Sequence, residues 1–196
     1  MSSLNVKEQQ VLALTSSALS GGTAGGATDH SQQLLGELSV DPDLDPSHIA
    51  QYESVRAYLE RNPGSRLAAR VSAFLSVRAA ADEQGYRLKR LVGKVTKITP
   101  RAYFLQVTGK GVRGMMNAGA SIVVTRAADK DGIVMYEIYD YGGSQFYARL
   151  LRPSYVPETG QLADIYITPK FVDLGGVRVP SPELLGLWYA QGETRK

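Results

Sequence analysis

The stretch Tyr86-Arg87-Leu88-Lys89-Arg90-Leu91-Val92-Gly93-Lys94-Val95-Thr96-Lys97-Ile98-Thr99 is where the pattern of this 196-residue chain changes. From Tyr86 onward apolar residues tend to recur at every second position, the spacing of a strand with one face buried. The runs 87–99, 102–108, 121–126, 133–141, 145–151 and 164–168 are rich in Val, Ile, Tyr and Thr, and they predict six strands. Alternation is clearest at Tyr103/Leu105/Val107 and at Phe146/Ala148/Leu150. Asp129-Lys130-Asp131-Gly132 and Tyr141-Gly142-Gly143-Ser144 have the composition of hairpin turns, because Gly supplies the positive φ such turns need. Short strands joined by tight turns make an antiparallel sheet, and closing the sheet removes its vulnerable edges. The expectation for residues 86–180 is therefore a small SH3-like or OB-like antiparallel β-barrel.

Upstream the apolar spacing is helical. Asn5 can cap a helix over 5–19 with Glu8 three positions on, and Val11, Leu12, Leu14, Ala18 and Leu19 supply its apolar stripe. Ser20-Gly21-Gly22-Thr23-Ala24-Gly25-Gly26-Ala27-Thr28 then reads as a flexible linker, since glycine backbone entropy resists order and small side chains pack no core. A helical turn or two is expected over 33–38. Asp45 is a good N-cap with Pro46 at the first helical position, which predicts one helix over 46–61 with Ile49, Tyr52, Val55 and Leu59 inward. Asn62-Pro63-Gly64 ends it, and a second helix over 65–84 carries Leu67, Val71, Phe74, Val77 and Ala81 before Gly85. At the far end Ser181 and Pro182 suggest the start of a short C-terminal helix bearing Leu184, Leu185, Leu187 and Trp188. The expected organisation is α+β: a helical arm and linker over 1–31, a helical hairpin over 32–85, the barrel over 86–180, and a helix and tail over 181–196.

Composition removes several function classes. The chain has no cysteine and two histidines, His30 and His48, which excludes disulfide frameworks, thiolate metal sites and cysteine nucleophiles. No basic segment followed by an apolar run opens the sequence, and no apolar stretch approaches the roughly 18 residues that span a bilayer. The expected location is a virion, or the host cytoplasm during assembly.

The formal charge of +3 conceals an asymmetry. Residues 1–85 hold six Lys/Arg and ten Asp/Glu, net −4, whereas residues 86–196 hold sixteen and nine, net +7. Such a division fits a polyanion partner for the β region, a contact between opposite parts of neighbouring subunits, or no partner at all. The strongest positive signal is the basic series Arg87, Lys89, Arg90, Lys94, Lys97 and Arg101 ahead of Tyr103 and Phe104, continued by Lys110 and Arg113. Small barrels bind nucleic acid by such means, cations neutralising phosphates while aromatic rings stack on bases. The ordinary use of the same residues is an edge strand kept soluble by lysine. Eleven tyrosines, several of them in the later strands, tilt toward protein contact.

Chemistry-bearing motifs fail on context. Gly109-Lys110-Gly111-Val112-Arg113-Gly114 has the letters of a dinucleotide fingerprint, but the next strand begins near Ser121 and leaves no room for a crossover helix. Asp41-x-Asp43-x-Asp45 opens like a calcium loop, yet the sixth and twelfth positions hold Pro46 and Tyr52 where glycine and glutamate are required. No nucleophile elbow or strand-borne carboxylate pair occurs. We therefore expect no catalytic residue, no metal and no cofactor. The foremost functional expectation is a non-enzymatic structural or connecting subunit of a large homo-oligomeric assembly, a neck, tail or capsid component of a tailed phage. Its partners would be copies of itself and other assembly subunits, with Val11, Leu12, Leu14 and Leu19 forming an arm to a neighbour. The alternative is a nucleic-acid-binding barrel using Lys89, Lys94, Lys97, Arg101, Lys110 and Arg113.

Overall fold

The computed structural model describes residues 3–20, 27–99, 102–109, 118–119, 121–128, 134–139, 145–149, 159–168, 171–180 and 183–189. The fold is α+β, and the chain divides into two compact units, residues 1–75 and 76–196.

The first unit is helical. It comprises α1 (Val6–Ser20), α2 (Ala27–Ser39), α3 (Pro46–Ile49), α4 (Glu53–Arg61) and the first part of α5 (Arg66–Glu83). Asn5 and Glu8 close a reciprocal capping box on α1: Glu8 N–H donates to Asn5 Oδ1 (2.9 Å) and Asn5 N–H donates to Glu8 Oε2 (3.0 Å). Ser65 caps α5 through the Ala68 N–H at 3.1 Å. At the other end Gly85 takes a φ of 68°, and the bonds Tyr86 N–H to Ala81 O and Gly85 N–H to Asp82 O form a Schellman closure. Val11, Leu35, Leu38, Leu44, Ile49, Val55, Tyr58, Leu67 and Val71 make the core.

Three helical expectations change. The predicted helix over 46–61 is broken at 50–52, where Tyr52 is extended and begins α4 without a side-chain cap. Six residues of unbroken helix would set Ile49 and Val55 about 120° apart. The break lets both reach the core, and Tyr52 is left on the surface. Secondly, the short helix expected over 33–38 runs from Ala27 to Ser39, so Ser20, Ala27 and Thr28, read as linker, are helical. Residues 21–26 lie outside the described residues. Thirdly, α1 docks on its own unit, with Val11 fully buried and Leu12 and Leu14 packed against the same core. Within the arm and linker expected over 1–31, residues 6–20 are thus a helix seated on its own unit.

The second unit is built on an antiparallel sheet of β1 (Lys89–Ile98), β2 (Ala102–Val107), β3 (Ser121–Ala128), β4 (Val134–Tyr139), β5 (Gln145–Arg149), β6 (Leu162–Thr168) and β9 (Glu183–Tyr189), in the order β5-β4-β3-β2-β1-β6-β9. All six strands read from the sequence are present. The two turn sequences at 129–132 and 141–144 lie outside the described residues, but the strands flanking them pair antiparallel. A closed barrel is not what the pairing displays: β5 and β9 approach each other, but no ladder joins them among the described residues. The remaining strands, β7 (Phe171–Leu174) and β8 (Val177–Pro180), form a separate two-stranded sheet.

The predicted C-terminal helix is corrected by β9. Residues 183–189 are extended and pair with β6 from Thr168↔Glu183 to Ala163↔Tyr189, with a register shift between Tyr166 and Ile167. A seven-residue helix containing Gly186 is marginal in water, whereas the free edge of β6 offers a row of unsatisfied N–H and C=O groups. Leucine-rich runs are ambiguous between the two states, and here the backbone partner decides.

Gly93 sits buried in β1 between Val107 of β2 and Ala163 of β6. A Cβ there would lie 2.6 Å from Ile165 Cδ1 and 3.0 Å from the Gln106 carbonyl oxygen. Gly93→Ala should therefore lower stability by about 1–3 kcal/mol through overpacking. The urea midpoint measures it, and an unchanged midpoint would contradict this close approach.

Candidate functional site

Alternation along β1 buries Leu91, Gly93 and Val95 on one side. The opposite side carries Lys94, opposite Gln106. An uninterrupted strand would turn Lys97 to the buried side, three residues being an odd step. The register shift between Val95 and Lys97 restores it, and Lys97 stands opposite Phe104 on the face of Lys94. Its Nζ lies 5.6 Å from the Phe104 ring centroid, a cation–π contact, and Thr96 Oγ1 donates to the Phe104 carbonyl at 3.2 Å. Lys94, Thr96, Lys97 and Gln106 are exposed, which makes a small basic face around a half-buried aromatic ring.

The rest of the basic series is dispersed. Arg90 Nε donates to Asp164 Oδ1 at 2.8 Å, and this carboxylate is 1% exposed, so Arg90 serves as the counterion of a buried charge and contributes little outward field. Lys89 is exposed at the start of β1. Arg101, Lys110 and Arg113 lie outside the described residues. The glycine loop that holds Lys110 and Arg113 joins β2 to β3, which pair antiparallel, a connection that a dinucleotide-binding crossover does not make.

A second cluster gathers on the helical unit. Glu8 is 1% exposed, and beyond its capping bond its Oε1 accepts from the Asp45 N–H at 3.3 Å and lies 2.9 Å from His48 Nδ1. His48 Nε2 is 3.7 Å from Asp45 Oδ2. Asp45 meanwhile caps α3, accepting from the Ser47 N–H (2.9 Å) and hydroxyl (2.7 Å). One buried carboxylate therefore ties α1 to the start of α3. The sequence displays the capping box that places Glu8, but not its bond to His48 forty positions away.

The calcium-like carboxylates are occupied in the same way. Lys7 Nζ lies 2.6 Å from Asp41 Oδ2 and 3.1 Å from Asp43 Oδ2, so an ammonium sits where the motif would hold a metal. Asn5 Nδ2 adds a bond to the Asp43 carbonyl at 2.8 Å. Among the described residues no group of three or more His, Asp or Glu is placed to hold a metal ion. Arg70, buried, donates through Nη1 to the carbonyls of Ser39 (3.0 Å) and Asp41 (2.7 Å), placing a cation at the negative end of α2. This cluster positions helices.

No family model matches the chain, and no characterised protein or solved structure resembles it significantly. No helix among the described residues is long and apolar enough to cross a membrane.

Hydrogen bonds to Asp41 and then Asp43 raise the Lys7 pKa above its ordinary 10.5. A raised pKa means the folded state favours the ammonium. Its stabilisation is full below 10.5 and disappears as pH climbs through the folded value. Lys7→Met should thus lower the thermal midpoint at neutral pH, and the gap from wild type should close above pH 10.5 and narrow in high salt. A gap independent of both would contradict the ion-pair assignment.

Proposed function

We propose that this chain is a non-enzymatic structural subunit of a homo-oligomeric assembly, a neck, tail or capsid component of a tailed-phage virion. The observation that carries the reading is that the two compact units bear opposite charge. Residues 1–75 hold five Lys/Arg and eight Asp/Glu, net −3, and residues 76–196 hold seventeen and eleven, net +6. Copies of such a chain attract head to tail, and a head-to-tail contact generates rings or tubes according to its rotation. The sheet belongs to this proposal as a small barrel, its edges β5 and β9 having drawn near. Native mass spectrometry across protein concentration should find multimers at low ionic strength that loosen as salt screens the contact. A monomer at every concentration and ionic strength would overturn the reading.

A second reading rests on the exposed pair Lys94 and Lys97 beside Phe104, a face suited to a single nucleic-acid strand, with cations on phosphates and the ring on a base. It predicts binding to single-stranded DNA or RNA that weakens steeply with salt, and a loss of at least tenfold in affinity for the Lys94→Glu/Lys97→Glu variant. Fluorescence anisotropy with a labelled oligonucleotide measures both. Equal binding by the variant would exclude this face.

A further inference from the structure

The hairpin β7–β8 is the whole connection between β6 and β9. Thr168 and Glu183 are paired neighbours in the ladder, so the chain leaves the sheet and returns to it at one point. A tight turn would bridge that gap in two to five residues. The chain instead spends fourteen, 169–182, and shapes ten of them into a ribbon pairing Phe171↔Pro180, Val172↔Val179, Asp173↔Arg178 and Leu174↔Val177. The sequence puts Pro169 and Pro182 at the junction, and residues without an N–H cannot carry the β6–β9 ladder onward. The ribbon is accordingly a sheet of its own. Its tip is a two-residue Gly175-Gly176 turn with φ of 64° and 86°, the primed geometry, and the Gly176 N–H donates to Asp173 Oδ1 at 2.8 Å. Four residues of strand extend it by about 14 Å.

The register sorts the ribbon into two faces. Phe171, Asp173, Arg178 and Pro180 share one, and Val172, Leu174, Val177 and Val179 share the other. A two-stranded hairpin is marginal in water by itself, and an all-aliphatic face gains nothing there. Val177 is 62% exposed. From this we infer that the β7–β8 ribbon is the assembling arm of the chain, and that its aliphatic face docks on the helical unit of a second copy. The occupant follows from charge and from where other apolar surface is bare. The ribbon belongs to the positive unit, and the sequence of 169–182 holds Lys170 and Arg178 against Asp173. The helical unit is the negative one, and it exposes Val6, Tyr52 and Leu75. The inference rests on the assembly reading above, and moves the arm from α1, which its own core holds, to the ribbon.

Because Val177 is exposed in the single chain, Val177→Glu should leave the unfolding midpoint of the full chain unchanged in high salt, where both proteins are monomeric. Native mass spectrometry should show it as monomer under conditions where wild type assembles. The absence of cysteine permits a second measurement: Val177→Cys chains mixed with chains carrying Val6→Cys, Tyr52→Cys or Leu75→Cys should form an oxidised heterodimer with at least one of the three. A wild type that assembles, with Val177→Glu assembling equally, overturns this inference and leaves the assembly reading standing. A wild type that is monomeric throughout overturns both. A monomeric Val177→Glu with no cross-link to any of the three positions overturns the helical unit as the docking partner.

Discussion

A carboxylate enclosed by a sheet has to meet a cation or be destabilising, and Asp164 meets Arg90 across seventy-four positions of sequence. That pair sits where β1 and β6 run side by side, and this junction makes one sheet of two pieces. On one side β1 to β5 follow one another as a meander of neighbours; on the other, β6 and β9 pair although the ribbon intervenes in sequence. Without the β1–β6 ladder neither piece has a covered edge. Buried positions along nearly all of β6, and the glycine of β1 pressed against Ile165, show how closely the junction is packed.

The helical unit solves a similar problem with Glu8. Capping α1 would satisfy this carboxylate on the surface, but it is buried and holds Asp45 and His48 as well. Lys7, next in sequence, clasps Asp41 and Asp43. The acidic stretch that resembles a metal loop is thereby a seat for the first turn of α1. The same contacts explain why the first helix stays with its own chain although the sequence after it is rich in glycine.

A basic series that looks continuous in one dimension is divided by the fold: Arg90 turns to Asp164, while Lys94 and Lys97 share a face only because of an irregularity in register. The ribbon between β6 and β9 belongs to the positive unit and leaves Val177 exposed on its aliphatic side. In head-to-tail assembly of one kind of chain, opposite charge selects the orientation and a small apolar contact supplies the hold.

Local chemistry was enough to read the α+β class, the capping of α1 and α3, the stop at Gly85 and the six earlier strands, because caps, glycine turns and period-two alternation act over a few residues. The ribbon was not read, although Asp173-Leu174-Gly175-Gly176-Val177 holds its signal, a glycine pair between aliphatics. Tertiary structure alone decided the rest. Residues 183–189 became a strand because β6 had an edge to fill, the helix after Asp45 broke because Ile49 and Val55 both belonged in the core, and Glu8 found His48. In each case the deciding partner lies beyond the reach of local propensity, and burial or an unsatisfied backbone edge, which no sequence window contains, set the outcome.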